Sequence, residues 1–394
     1  MSHQTLRREL GLGGAIVIGL GSIVGTGAFV AIGVASARWS DAVVLAVPLA
    51  AAVAVFNGLS SAFLAGRFPV AGGTYEYGYQ TLNPWLGFTA GWLFLLAKTA
   101  SAATAALGVG LYLGIPGPLI PIAAVALVTG LVLAGIRRTA VGNTVLVALT
   151  IVAILWFSWA GIGEARLSGP AFDSGLELPS LLAATAFLFV AYTGYGRIAT
   201  LGEEVKRPER VIPRAVIITL AVAAFLYLAI ALGGRAMAGP DWGARIELAR
   251  LGMPVVTIGA ITAMLGVLLN LILGLSRVWL AMGRRHDMPA RLARLDHRSE
   301  PRLAILVSSV LVAAITLIGD VALAWGFSAM TVLLYYGITN LAAIALDRAR
   351  VTAWIGLASC VSLSVFVTPG VWLAGVASIG VGLLWKTGFR KLSV

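Results

Sequence analysis

Uninterrupted apolar runs of about 18 residues or more recur from one end of this 394-residue chain to the other, each long enough to cross about 30 Å of hydrocarbon as a helix. Only 11% of the residues are charged, against 59% hydrophobic, too few to clothe a soluble domain of this length in polar surface. The period-two alternation of a β-barrel strand is absent. The chain reads as an all-α polytopic membrane protein.

Run length and polar punctuation mark about twelve spans. In the first half they cover 11–36, 41–66, 83–113, 118–136, 141–163 and 179–202, and in the second 212–234, 254–283, 303–319, 321–346, 351–367 and 371–387. No linker separates soluble domains, so 1–394 is a single membrane domain. Gly319 and Asp320 alone divide two of the later spans. The net charge of +12 lies in the gaps between runs, which argues for membrane topology and against a nucleic-acid partner. Arg67, Arg137, Arg138, Lys206, Arg207, Arg210, Arg214, Arg284, Arg285, Arg348 and Arg350 fall on one side together with both ends of the chain. The other side holds Arg38, Arg166, Arg235, Arg245 and Arg250, diluted by Asp173, Glu177, Asp241 and Glu247. Both termini are therefore expected in the cytoplasm. The basic segment RRHDMPARLARLDHRSEPR (284–302) is expected to form a short amphipathic helix on anionic lipid headgroups. Arg7 and Arg8 precede a first run too long for a secretory h-region and without a cleavage site, which marks it as a retained span. A lone cysteine, Cys360, excludes an internal disulfide and any multi-cysteine metal site.

Two spans contain their least helical residues at mid-membrane. GSIVGTGAF (21–29) interrupts the first and FVAYTGYGR (189–197) the sixth. Glycines such as Gly21 and Gly25 also let helices pack closely, so one such stretch is ambiguous. A matching pair five spans apart is the pattern of two inverted repeats, here 11–163 and 179–346, with 351–387 added. Broken helices free backbone groups that lipid cannot satisfy, so the breaks must face a ligand or water. Exposed N–H groups at a half-helix start suit a carboxylate, and freed carbonyls suit an ammonium. One such pair complements the backbone of an amino acid.

Four stretches, in order along about three-quarters of the chain, resemble the amino acid–polyamine–organocation superfamily of permeases. They are GLGSIVGTGAFV (19–30), FPVAGGTYEYGYQTLNPWLGFTAGW (68–92), TLGEEVKRPERVIPRAV (200–216) and SRVWLAMGRRHDMP (276–289). The resemblance implies a five-plus-five inverted repeat with two further helices, and a secondary transporter working by alternating access in the cell membrane. It implies that Ser22, Gly25, Thr26 and Gly27, with Ile23 in the same stretch, receive the substrate's carboxylate through their amides. Val190, Ala191 and Thr193 would receive its ammonium through their carbonyls. Tyr192 and Tyr195 would either close over the site or simply pack. No cofactor or metal is implied. The chain departs from the family at Thr150, where many members carry a lysine, and at Arg197, where many carry an acid. Both departures concern the coupling ion.

Lys98 lies near the middle of the third span, where an ammonium must face a partner or a wet cavity. It is either a structural lysine bonded to neighbours such as Thr99 or Ser101, or a coupling or substrate-contact residue. Arg197 is expected to pair with Glu203 or Glu204, holding or gating the loop after span 6, and Glu76 is expected to join a loop ion pair. A small or neutral amino acid is the expected substrate, with an amine or polyamine as the alternative. With Thr150 in place of lysine, a proton carried by Lys98 or exchange without an ion ranks above sodium. A membrane enzyme is the rival from another class, but His3, His286 and His297 all fall in loops and no span holds an acidic pair. A channel would repeat one filter element rather than carry two unlike breaks. No disulfide-linked partner is expected, because LGIPGPL (113–119) has no cysteine.

Overall fold

A computed structural model of the chain describes residues 8–163, 177–238, 254–296 and 299–392. Of the charges read above for orientation, Arg166, Asp173, Asp241, Arg245, Glu247 and Arg250 lie outside these residues, as do His3 and His297. Among the described residues the elements are helical. The first expected span is α1 (Leu12–Ile23), a π-helical turn Gly27–Ala31 and α2 (Ile32–Trp39). Next come α3 (Ala42–Arg67), a short α4 (Thr74–Thr81), α5 (Pro84–Leu113), α6 (Leu119–Leu133) and α7 (Ile136–Gly163). The sixth expected span is again divided, into α8 (Leu178–Tyr192) and α9 (Tyr195–Ala199). The remainder is α10 (Pro208–Ala238), α11 (Pro254–Arg284), α12 (Arg302–Thr316), α13 (Val321–Leu346), α14 (Val351–Ser364) and α15 (Pro369–Leu392). Eight of these segments are long and apolar enough to cross a membrane, and α6, α8, α12 and α14 are shorter apolar helices.

The helix ends follow local chemistry. Pro84 opens α5 without sacrificing a hydrogen bond, and the Asn83 side chain accepts from the amides of Trp85 and Leu86 at 3.0 and 2.9 Å. Gly114 closes the same helix in the left-handed conformation at φ 66°. Gly319, also left-handed at φ 75°, and the Asp320 cap on Leu323 N–H separate α12 from α13 at the expected division. The segment 284–302 departs from expectation. Between α11 and α12 its described residues hold only a 3₁₀ turn, Ala290–Ala293, because Pro289 and Pro301 bound it and His286 and Ser299 adopt positive φ.

The core runs along α5, which packs on α11 and α13, while α3 packs on α10 and α8. The small residues of AKTASAATAALGVG explain the close approach to α5, since lipid supplies no hydrophobic drive and helix association rests on packing. α1 lies against α10, α7 and α11, so both interrupted spans are enclosed by long helices.

Candidate functional site

The first break leaves Val24, Gly25 and Thr26 between α1 and the π-helical turn, with Val24 extended at ψ 97°. The second leaves Thr193 and Gly194 between α8 and α9. The two breaks touch: a side chain at Gly194 would collide with the backbone carbonyl of Ser22, so only glycine permits this approach. Gly27 lies as close to the second break, where an added Cβ would stand 2.6 Å from the Ala191 Cβ. Gly25 instead packs on α11, against Val267 and the Ala263 carbonyl.

A cavity of about 20 Å³ lies where the breaks meet, room for a water and not for an amino acid. Ser22, Ile23, Thr26 and Gly27 line it from the first break, and Val190, Ala191, Thr193 and Gly194 from the second. Lys98 and Ser101 of α5, Val267 and Leu271 of α11 and Trp325 of α13 complete the wall. Lys98 is buried and donates to the Thr193 carbonyl at 3.2 Å and its hydroxyl at 2.9 Å, rather than to Thr99 or Ser101. Thr99 bonds its own helix, and Ser101 shares a hydrogen bond with Ser328. The Thr26 hydroxyl, 1% exposed as a residue, has no hydrogen-bond partner among the described residues.

The freed carbonyls already have donors. Val190 O accepts from the Thr193 amide and hydroxyl, and Thr193 O from Tyr336 at 3.3 Å as well as from Lys98. Tyr227 of α10 spans both breaks, its hydroxyl 2.6 Å from Ile23 O and 3.1 Å from Ala191 O. Tyr192 and Tyr195 do not line the cavity. The Tyr192 hydroxyl donates to Val47 O and its ring meets Tyr227 at 5.0 Å, while the Tyr195 ring packs on Tyr336 at 5.1 Å. Paired interruptions in a membrane-spanning helical chain, joined around a closed polar cavity, match what the family comparison finds independently: the amino acid permease family covers residues 14–390.

The chain belongs to the amino acid permease family. It is thus a transmembrane protein of amino acid transport. An uncharacterized transporter of Mycobacterium tuberculosis is 39% identical over 98% of this chain and 92% of its own length. The branched-chain amino acid permease BcaP of Bacillus subtilis is 26% identical over 74% of this chain and 70% of its own length. A cationic amino acid transporter of Arabidopsis thaliana, named as mitochondrial, is also 26% identical, over 79% of this chain and 58% of its own length.

The permease is closed unequally on the two sides of this cavity. Towards the start of α13, the closure is aromatic. Trp325 Nε1 donates to Phe187 O at 2.9 Å, and the Phe187 ring meets Trp39 at 5.4 Å. Phe187 and Trp39 also line a larger cavity of about 430 Å³, with Arg38 and Asp320 among its walls. Towards the opposite end, the closure is ionic. Arg277 of α11, fully buried, contacts Glu204 at 2.9 Å and Glu300 at 3.3 Å, and Arg197 stands 3.9 Å from Glu204. Burial raises the Glu204 carboxyl, but the guanidiniums of Arg277 and Arg197 outweigh it and hold the group below its usual range. At Glu300, burial prevails over Arg277 and leaves that carboxyl raised. Glu203 pairs with Arg284 at 3.0 Å and accepts the Ala71 amide, and Glu76 pairs with Arg285. The segment before α1 is stitched to the same loop by Glu9 and Leu10 amides donating to Glu204 O.

Thr150 lies away from the cavity and its hydroxyl bonds Leu146 O in its own helix. Asn143 and Asn270 fill the space between α7, α11 and α1 instead, Asn270 donating to Asn143, which donates to Val17 O at 3.1 Å. Sequence reasoning passed over Tyr227, Asn143, Asn270, Trp325 and Arg277. Each is a polar or cationic group inside an apolar run, and each had to find a partner there; that alone was the available signal.

Proposed function

We propose that the chain is a secondary transporter of amino acids that works by alternating access across the cell membrane, with about twelve spans and both termini in the cytoplasm. In this reading 11–163 and 179–346 are inverted repeats and 351–387 is an addition. The contact of the two breaks around one buried polar cavity carries the proposal, since lipid-embedded backbone is left irregular only where it faces a ligand or water. The amides of Ser22, Gly25, Thr26 and Gly27 take the α-carboxylate. The α-ammonium displaces the present donors from the carbonyls of Val190, Ala191 and Thr193. Small lining residues admit a compact side chain, and no carboxylate lines the cavity among the described residues to attract a cationic one.

The unequal closures support a cycle in which the aromatic layer of Trp325 and Phe187 opens from outside. The ion pairs of Glu203 and Glu204, with Arg197, break when the cytoplasmic side opens. A proton carried by Lys98, or exchange without an ion, ranks above sodium coupling, because Thr150 and the Asn143–Asn270 pair spend their hydrogen bonds within the protein. The test is uptake of labelled amino acids into proteoliposomes under a pH gradient, a sodium gradient or preloaded substrate alone, with methyl-ester and N-acetyl competitors. Neither blocked competitor should inhibit. Effective competition by the ester would remove the carboxylate role of the first break, and stimulation by sodium alone would overturn the coupling order.

A further inference from the structure

Lys98 is the one ionisable side chain lining the central cavity among the described residues. An ammonium has three N–H donors, and Thr193 takes two of them through its carbonyl and hydroxyl. These bonds orient the charge without neutralising it, and a buried charge is costly unless an opposite charge joins it. The same cavity holds the buried Thr26 hydroxyl, which lacks a partner among the described residues. An ammonium donor and a free hydroxyl in a buried cavity form a donor-rich corner suited to a carboxylate.

We infer that Lys98 makes this site selective for amino acids with a second carboxylate. The inference rests on the site being an amino acid site, and it follows from charge balance. With Lys98 protonated, a zwitterion adds no net charge, so the occluded complex keeps the uncompensated +1 of Lys98 unless that proton leaves. A cationic amino acid raises it to +2. An amino acid of net charge −1 brings it to zero, with its side-chain carboxylate on Lys98 and Thr26 and its α-carboxylate on the amides of the first break. With no acid lining the cavity among the described residues, cations are disfavoured; the presence of the lysine goes further and favours anions over neutral isosteres.

Aspartate and asparagine differ by little except this charge, which makes them the measuring pair. In proteoliposomes holding the full chain, labelled aspartate should be taken up with kcat/KM at least 10-fold above asparagine, and lysine should not be taken up. The aspartate-to-asparagine ratio should fall to about 1 or below in Lys98→Met and stay above 1 in Lys98→Arg. Equal use of the pair by the wild type, or preference for asparagine, overturns the inference while leaving the amino acid reading intact. So does a preference for aspartate that persists in Lys98→Met. The wild-type ratio decides the matter even where a variant fails to fold. Uptake of none of the twenty amino acids by monodisperse wild-type protein would defeat the amino acid reading, and this inference with it.

Discussion

Replacing Glu204 by glutamine removes one charge from a buried group of four and leaves its shape almost unchanged. Arg277 and Arg197 are then left with Glu300 as their only carboxylate within the cluster. Glu204 is 5% exposed and Arg277 fully buried, so solvent cannot take over the lost counter-charge. Breaking a buried pair by removing one partner costs about 3–5 kcal/mol. For a helical domain of this size that corresponds to a fall in apparent melting temperature on the order of 4–6 °C. Size-exclusion thermal-shift measurement in detergent reads this directly. The double variant Glu204→Gln with Arg197→Met restores charge balance by leaving Arg277 opposite Glu300, and should recover more than half of the loss. If Glu204→Gln melts with the wild type, or the double variant is no better than the single one, the cluster is not held by charge balance and the ionic closure loses its basis.

Acidification should act on the same group. Because the folded protein holds the Glu204 carboxyl below its usual range, its contribution is complete above the ordinary carboxyl pKa of about 4.3 and is lost as pH falls through the lower folded value. Thermal shifts taken from pH 7 downward should therefore converge for wild type and Glu204→Gln only at the acid end; parallel curves throughout would contradict this. Tyr227→Phe leaves Ile23 O and Ala191 O without their shared donor, which should cost about 1–3 kcal/mol and appear as a lower melting temperature. Unchanged melting would show that water or a shift of the breaks replaces the hydroxyl. Gly27→Val drives a side chain into Ala191 and the Tyr227 hydroxyl, so overpacking of at least about 1–3 kcal/mol should reduce the yield of monodisperse protein. Normal yield together with lost uptake would instead place Gly27 purely at the ligand.

Each expected span holds a helix among the described residues, and eight reach spanning length, because hydrocarbon leaves the backbone one solution: hydrogen bonds made within the segment. For the same reason both interruptions were legible, since glycine, serine and threonine at mid-membrane violate that solution at GSIVGTGAF and FVAYTGYGR. Sequence also indicated the charge cluster around Glu203 and Glu204 and the place of Arg197 in it, but not the other members: Arg277 and Glu300 reach Glu204 from α11 and from the loop before α12. Two neighbouring acids in one loop part company, Glu203 going to Arg284 and Glu204 to Arg277. Lys98 shows the division most clearly. Its position at mid-span announced that it needed a partner, yet the partner is neither adjacent hydroxyl but Thr193, 95 residues away at the second break. Local rules govern which backbone bonds a segment can make within itself. Which helix supplies the missing donor or counter-charge depends on how the bundle closes, and only the tertiary structure decides that.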